Sequence, residues 1–94
     1  MTLSTHVLDT ERGVPAAGVR VELWHDGALA ASGVTDSDGR IRDFGAGEPG
    51  TYRVAFYPPS PFFRRVELEV ELGEGHFHVP LLFSSYGCAS YRGS

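Results

Sequence analysis

The chain has 94 residues, a net charge of −4 and 41% hydrophobic residues, which is typical of a small globular domain and not of a disordered chain. All eight cationic residues are arginines scattered along the sequence, so no basic block is available to bind nucleic acid. No apolar run reaches the roughly 20 residues of a membrane helix, and Met1-Thr2-Leu3-Ser4 lacks the features of a secretory signal. We therefore expect one domain over residues 1–94, in the cytoplasm, with neither nucleic acid nor membrane as a partner.

The small size of the chain limits how it can be stabilised. A domain of this length buries only somewhat more than about 60% of the surface that its unfolded chain exposes. Cys88 is the only cysteine, so disulfides within the chain cannot add stability. Oligomerisation or a bound metal is the more natural source of additional stability.

Alternation of apolar and polar residues dominates the sequence, and stretches with a helical period are missing. After a first strand pattern around His6, the alternation recurs at Val19–Trp24, at Tyr52–Tyr57 and most clearly at Val66–Leu72. In the last of these, four aliphatic residues interleave with three glutamates, which predicts a strand with one buried face and one acidic face in solvent.

Turn signals separate these patterns. They are Glu11–Gly13, His25–Gly27, Asp36–Gly39, Gly45–Gly50 and Pro58–Pro61. Asp26-Gly27 between two apolar runs predicts a short β-hairpin. Short strands separated by such turns predict an all-β sandwich of about seven or eight strands, in which any helix is short.

Histidines are the first candidates for site residues. His76 and His78 are two residues apart on a strand pattern, so their imidazoles share one face while Phe77 takes the other. His6 lies in the first strand pattern, on the same face as Ser4. An imidazole in such a position can exchange protons with a water molecule near neutral pH.

A zinc site is the alternative interpretation of these histidines. A His-x-His pair on a strand with a third histidine elsewhere is a workable three-nitrogen arrangement with an open position for water. No carboxylate or cysteine is fixed beside the three residues by spacing. His25, next to the predicted hairpin turn, is interpreted as an ordinary surface or hydrogen-bonded histidine.

Arg40 is the candidate for stabilising negative charge. It follows the turn Asp36–Gly39, which is too short for a calcium loop, and enters a strand directly from that turn. A guanidinium is always charged, and one held in place can stabilise an oxyanion that develops during a reaction. Arg42 would share the face of Arg40, so spacing alone leaves both arginines open.

Three blocks in order give the chain a family resemblance: STHVLD at 4–9, DGRI at 38–41 and HFHVPLLFSSYGCASYRGS at 76–94. They resemble the 5-hydroxyisourate hydrolases, the enzymatic relatives of transthyretin. The resemblance runs from Leu3 to Ser94. It implies a transthyretin-like (immunoglobulin-like, prealbumin-type) β-sandwich and hydrolysis of 5-hydroxyisourate, the unstable product of urate oxidation. It also implies a dihedral homotetramer with sites at the interface between dimers, and no cofactor.

The resemblance also implies residue roles. His6 and His78 would position and deprotonate water, Arg40 in preference to Arg42 would stabilise the anionic intermediate, and Ser94 would orient the substrate. The remaining members of the site would bind the substrate: His76, Tyr91, Arg92 and Gly93. No metal ligand is among them.

The chain departs from the family pattern at two places. Family members carry a short helix between two central strands, where this chain has Phe56–Phe63 with three prolines. Prolines remove amide donors and bias the residues before them towards extended conformations, so we expect that connection to be trimmed. Where the family has Tyr-Gly-Tyr, this chain ends the triplet with Cys88, which we expect to be a small buried thiol with a structural role.

Two alternatives to an enzyme remain. One is a transthyretin-like carrier that binds small aromatic ligands in the channel between subunits without turning them over. The other is an adhesive β-sandwich module of the immunoglobulin-like kind. Neither needs the combination of His6, His78 and Arg40, and the adhesive module does not need the terminal Tyr91–Ser94.

Overall fold

The computed structural model describes residues 1–94 and contains ten β-strand segments and no helix. Eight segments have three or more residues and two have two, in agreement with the predicted seven or eight strands. The segments are β1 (Thr2–Asp9), β2 (Val14–Pro15), β3 (Arg20–His25), β4 (Ala28–Val34), β5 (Arg40–Ile41), β6 (Gly50–Tyr57), β7 (Val66–Leu72), β8 (His76–His78), β9 (Leu81–Phe83) and β10 (Cys88–Ser90). The chain has no helix of the length and apolar character needed to cross a membrane.

The strands form two sheets. In the first, β1 pairs in parallel with β8 and then β9, and antiparallel with β2 and β5, while β10 is an edge strand beside β9. The second sheet has the order β4-β3-β6-β7, with every pair antiparallel. β1 is therefore the strand that holds the elements of the first sheet together.

The hydrophobic core lies between the two sheets. It is a cluster of 15 buried residues, supplied by alternate positions such as Leu3 and Val7 of β1, Leu23 of β3 and Leu81 of β9, all at most 1% exposed. Burial of each such side chain stabilises the fold by about 1.5–3 kcal/mol. Because the inward residues of β1 are fixed in this way, the residues between them must face outwards.

The predicted acidic face of β7 is confirmed, since its three glutamates are exposed while Val66 and Leu72 are buried. Glu22 of β3 is different, because it also alternates with apolar residues but is only 4% exposed. It accepts hydrogen bonds from Tyr57 Oη at 2.8 Å and Trp24 Nε1 at 3.2 Å. The hydrogen bond from Tyr57, more than those from Trp24 and Arg20, lowers the pKa of Glu22 and keeps it charged.

The turns follow the sequence signals. Asp26 and Gly27 both have positive φ, at 50° and 76°, as expected for the hairpin between β3 and β4. The connection Pro58–Arg65 between β6 and β7 contains no helix, as predicted. Ser60 Oγ accepts hydrogen bonds from the amides of Phe62 and Phe63 within this connection.

The predicted burial of Cys88 is wrong. Its thiol was expected to be buried, but it is exposed and unpaired. The reason is that β10 pairs only with β9 and has all three of its residues exposed. A period of two identifies which residues share a face, but not whether a neighbouring strand covers that face.

Candidate active site

The predicted site residues come together through the pairing of β1. His6 of β1 lies directly opposite Arg40 of β5, and Ser4 lies opposite His78 of β8. Paired residues project to the same face of a sheet. His6, Arg40 and His78 therefore share the outer face of the first sheet, opposite the core.

The two histidines of β8 project as their spacing predicted. His76 is exposed and His78 is half-buried, while Phe77 between them packs against the core. Val79, which follows the strand, is buried. The apolar residues anchor the strand from one side and leave the imidazoles on the other.

Two hydroxyl groups of β1 contact these imidazoles, and one of them bridges both rings. Ser4 Oγ lies 2.9 Å from His76 Nε2 and 2.8 Å from His78 Nδ1. Thr2 Oγ1 lies 2.7 Å from His76 Nδ1. The alternation of β1 predicts that Ser4 shares the face of His6, but no role could be predicted for either hydroxyl, because the parallel register of β1 and β8 is not visible in a single sequence.

His6 is held by a backbone contact. Its Nε2 lies 2.8 Å from the carbonyl oxygen of Asp38. A carbonyl oxygen can only accept, so Nε2 must carry a proton and donate it. In the neutral ring, Nδ1 of His6 is then unprotonated and free to accept a proton.

The turn before β5 fixes Arg40. Asp36 Oδ1 accepts hydrogen bonds from the amides of Asp38 and Arg40, both at 2.9 Å. The hydrogen bond from the Arg40 amide, more than that from Asp38, lowers the pKa of Asp36. Gly39 has φ of 74°, and a Cβ there would lie 2.5 Å from the carbonyl oxygen of Val7, so only glycine fits this turn.

The structure distinguishes Arg40 from Arg42. Arg40 is half-buried within β5, which ends at Ile41. Arg42 lies beyond the strand, is exposed, and contacts the carboxylate of Asp38 at 4.0 Å. Only Arg40 therefore lies in register with His6 on the face of the imidazoles.

The pKa of His78 is lowered, which favours the neutral imidazole. Burial is the main cause that lowers its pKa below the ordinary value of 6.5, because a charged imidazolium is poorly solvated there. The positive charge of Arg40 lowers it further, followed by His6 and His76. At pH 7 the ring is thus neutral, and one of its nitrogens can accept a proton.

The C-terminal tail is docked and not frayed at Gly93. The Gly93 amide donates to the carbonyl oxygen of His78 at 2.7 Å, and the two residues form a β-bridge. A Cβ on Gly93 would lie 2.5 Å from Cδ2 of the His78 ring. The glycine backbone therefore packs directly on the imidazole, and the exposed Ser94 follows immediately after it.

The other two tail residues lie elsewhere within this chain. The Arg92 guanidinium stacks on Phe77, 4.3 Å from the ring centroid, and Phe77 faces away from the two imidazoles of β8. Tyr91 and Arg92 line a cleft of about 520 Å³ beside β7. The chain brings Gly93 to His78, whereas its Tyr91 and Arg92 face this cleft.

The arrangement does not fit a three-histidine zinc site. No group of three or more His, Cys, Asp or Glu side chains is positioned to hold a metal ion. Both ring nitrogens of His76 contact hydroxyls, His78 Nδ1 contacts Ser4, and His6 Nε2 donates to a carbonyl. The ring nitrogens without such contacts are Nδ1 of His6 and Nε2 of His78.

His25 lies outside this site. It stacks on Tyr52 with ring centroids 4.1 Å apart, and its Nδ1 lies 3.0 Å from the carbonyl oxygen of Thr51. The interpretation of His25 as a hydrogen-bonded structural histidine is confirmed.

A neutral imidazole on the same sheet face as an arginine whose backbone is held in place can perform hydrolytic chemistry. A neutral histidine can take a proton from water near pH 7, and a preorganised positive charge stabilises the oxyanion formed when that water attacks a carbonyl carbon. The outer face of the first sheet holds both elements within one surface.

Two curated relatives are similar to this chain over nearly its whole length. The 5-hydroxyisourate hydrolase of Deinococcus radiodurans is 38% identical over 113 aligned positions, covering 98% of this chain and 95% of the relative. The uric acid degradation bifunctional protein TTL of Arabidopsis thaliana is 41% identical, but the chain spans only 37% of its length. The 113 positions exceed the 94 residues of this chain, so the Deinococcus protein carries residues that this chain lacks.

A solved structure and a protein family are also similar to this chain. The solved structure of Klebsiella pneumoniae 5-hydroxyisourate hydrolase superposes with a TM-score of 0.90 at 38% identity, covering 99% of this chain and 98% of that one. The HIUase/Transthyretin family matches residues 3–93. On this match and the relatives' identity, the chain belongs to the HIUase/Transthyretin family.

Proposed function

We propose that this protein hydrolyses 5-hydroxyisourate in urate degradation. The reaction opens the six-membered ring at an amide-like carbon–nitrogen bond and gives 2-oxo-4-hydroxy-4-carboxy-5-ureidoimidazoline. The names of the hydrolase relatives support this substrate. The observation that carries the proposal is a neutral His78 on the same sheet face as His6 and Arg40, which a protein that only binds ligands does not need.

Proton transfer is assigned to the two histidines. His78 Nε2 takes a proton from the attacking water while His6, through its free Nδ1, holds that water in place. The water oxygen bonds to the ring carbonyl carbon. His78 then gives the proton on Nε2 to the ring nitrogen as the carbon–nitrogen bond breaks, which leaves Nε2 unprotonated again.

Arg40 and the tail act on the substrate. The guanidinium stabilises the negative oxygen of the tetrahedral intermediate, and Ser94 orients the substrate next to His78. We assign substrate binding also to His76 and to the tail backbone at Gly93. Within this chain, Tyr91 and Arg92 face the cleft beside β7. Their proposed contact with the substrate therefore requires the oligomer, in which neighbouring subunits meet.

The proposed reaction uses no cofactor, and chelation tests this. Because the histidine nitrogens are arranged for hydrogen bonding and not for joint ligation, exhaustive treatment with a chelator should leave the hydrolysis rate unchanged. Added zinc should inhibit by binding individual imidazoles. The rate is measured before and after metal removal, and loss of activity on chelation with recovery on adding zinc would show that the mechanism needs the metal.

We also propose that the chain assembles as a homotetramer in the cytoplasm. The edge strands β7 and β10 present unpaired backbone groups, which favour pairing with another copy. Half-buried Leu68 and Val70 line the cleft beside β7 and would be covered by such pairing. The free, exposed thiol of Cys88 is compatible with a reducing compartment.

Light scattering coupled to size-exclusion chromatography tests the assembly. We expect four times the mass of one chain, because a small chain without disulfides gains stability by burying sheet surface against a partner. A fully active monomer would place the whole site within one chain and contradict the interface model.

An ultraviolet assay tests the activity itself. 5-Hydroxyisourate is generated freshly from urate, and the loss of its absorbance is followed with and without the purified protein. We expect a decay that accelerates in proportion to protein concentration. A carrier or an adhesive module would leave the spontaneous rate unchanged, and that result would remove the enzymatic assignment.

A further inference from the structure

Four polar groups form a continuous hydrogen-bonded row along the outer face of β1 and β8. In order, they are the hydroxyl of Thr2, the ring of His76, the hydroxyl of Ser4 and the ring of His78, joined by contacts of 2.7, 2.9 and 2.8 Å. The row begins at exposed Thr2 and ends at half-buried His78. It therefore leads from solvent to the nitrogen that faces the proposed substrate position.

The parallel register creates this row. Thr2 lies opposite His76 and Ser4 lies opposite His78, so each hydroxyl faces the imidazole across from it. Ser4 also contacts His76, and a single hydroxyl thereby bridges both rings. No other side chain contacts both imidazoles through hydrogen bonds.

The number of protons restricts the possible arrangements. A serine hydroxyl can donate one proton, so Ser4 cannot donate to both rings, and a neutral imidazole carries one N–H. If both rings are neutral, Ser4 either donates to one ring and accepts from the other, or accepts from both rings and donates outside the row. The first option leaves two ordered arrangements, and the proposal below uses these two. Either the row donates from Thr2 towards His78, which puts the proton of His78 on Nε2, or it donates from His78 towards Thr2, which puts that proton on Nδ1.

We propose that Ser4 is a positioning residue that fixes the tautomer of His78 and relays its proton through His76 to Thr2 and solvent. The proposal rests on the proposed function, in which His78 accepts a proton at Nε2. In the resting state, His78 Nδ1–H donates to Ser4, Ser4 donates to His76 Nε2, and His76 Nδ1–H donates to Thr2. Nε2 of His78 is then unprotonated and available to the water.

The relay conserves protons. When His78 gains a proton at Nε2, its Nδ1 proton passes to Ser4, the Ser4 proton passes to His76 Nε2, and the Nδ1 proton of His76 passes to Thr2. The original hydroxyl proton of Thr2 leaves to solvent. One proton enters at His78 and one leaves at Thr2, so the row changes from one ordered arrangement to the other without retaining an imidazolium. When Nε2 later gives its proton to the ring nitrogen, the transfers run in reverse and Thr2 regains a proton from solvent.

The surroundings of His78 favour such a relay. Burial and the charge of Arg40 lower its pKa, so a proton held on this ring is destabilised. The other titratable groups that lower its pKa are His6 and His76, and the backbone of Gly93 lies next to the ring. Because Ser4 is hydrogen-bonded to Nδ1 of His78, the ring can lose its second proton through this contact. Without a partner at Nδ1, the ring would have to keep the positive charge.

The test compares Ser4→Ala and Ser4→Thr with the wild-type protein. Removing the hydroxyl should lower kcat by roughly tenfold to a hundredfold, the scale of loss seen when partners that orient metal-ligating histidines are removed, while KM changes less than about threefold. Ser4→Thr keeps a hydroxyl at the same atom position and should retain most of kcat. The kcat–pH profile of Ser4→Ala should also move, because His78 loses the partner at Nδ1.

The matched control is Ser32→Ala, which removes an exposed strand hydroxyl in the second sheet and should leave kcat unchanged. Circular dichroism establishes that each variant is folded. Thr2→Val, which removes the outer hydroxyl from an exposed position, is the second variant and should lower kcat with KM maintained. Wild-type kcat in a folded Ser4→Ala protein, or equal losses in Ser4→Ala and Ser4→Thr, would overturn the proposal.

Nitrogen NMR of the imidazoles separates this proposal from the proposed function. In the wild-type protein at neutral pH, His78 should carry its proton on Nδ1, and in Ser4→Ala it should shift towards the Nε2–H tautomer that free imidazole side chains prefer. A wild-type His78 protonated on Nε2 would overturn the relay even if the protein is active. An inactive wild-type protein with the Nδ1–H tautomer would overturn the hydrolase assignment and leave the tautomer assignment standing.

Discussion

Arg40→Ala should lower kcat/KM for 5-hydroxyisourate by about two to three orders of magnitude, the usual cost of removing one preorganised group that stabilises an oxyanion. Arg40 belongs to the two-residue strand β5 and is only half-buried, so its truncation should leave the core intact. The measurements are initial rates in the ultraviolet assay and a thermal unfolding curve for the same sample.

Arg42→Ala is the matched control for this prediction. It removes an equally charged side chain two residues away, but one that is exposed and contacts Asp38. We expect its kcat/KM to stay within about threefold of wild type, because an exposed charge of this kind interacts weakly. A folded Arg40→Ala protein with full activity would move the anion-stabilising role away from Arg40.

Removal of the tail should have the second largest effect. Deleting Tyr91–Ser94, or appending residues after Ser94, should lower turnover by about 100-fold, the scale of loss that follows misplacement of reacting groups. The melting temperature should change little, because Tyr91, Arg92 and Ser94 are exposed and contribute few core contacts. The comparison is between turnover and melting temperature of the truncated and intact proteins.

Gly93→Ala tests the same contact with a single methyl group. The added Cβ would lie 2.5 Å from the His78 ring, so the tail must move away or the ring must rotate. Gly87→Ala is the control, since its Cβ would meet only Ser84 Oγ at 3.4 Å. Undiminished hydrolysis by both the truncated protein and Gly93→Ala would mean that the tail is not part of the active site.

Much of the fold was predictable because its strands alternate. The pattern at Val66–Leu72 predicted both the strand and its exposed glutamates, and the positions of His76 and His78 predicted their shared face. Burial of Glu22 was not predictable, since it depends on Tyr57 and Trp24, of which Tyr57 comes from another strand. A local pattern cannot show which polar residue finds partners across the sheet.

Some features of the candidate site could be predicted from the sequence, but the contacts between its residues could not. The spacing identified imidazoles on two strands, whereas the contacts of Ser4 with His76 and His78 arise from the register of a parallel pair more than 70 residues apart in sequence. Spacing alone left Arg40 and Arg42 open and the family resemblance favoured Arg40, whereas the structure separates the two because β5 ends at Ile41. The local sequence predicts which side chains share a face of a strand, whereas the pairing of the strands determines which side chains are in contact.

The most direct test of the hydrolase assignment is the identity and rate of appearance of the product. Carbon-13-labelled 5-hydroxyisourate, prepared in ordinary water, is diluted into oxygen-18 water with the wild-type protein and followed by carbon NMR. We expect the new carboxylate carbon to appear at a rate proportional to protein concentration and to carry one oxygen-18 atom from solvent. A carboxylate signal that forms at the spontaneous rate at every protein concentration would contradict the assignment.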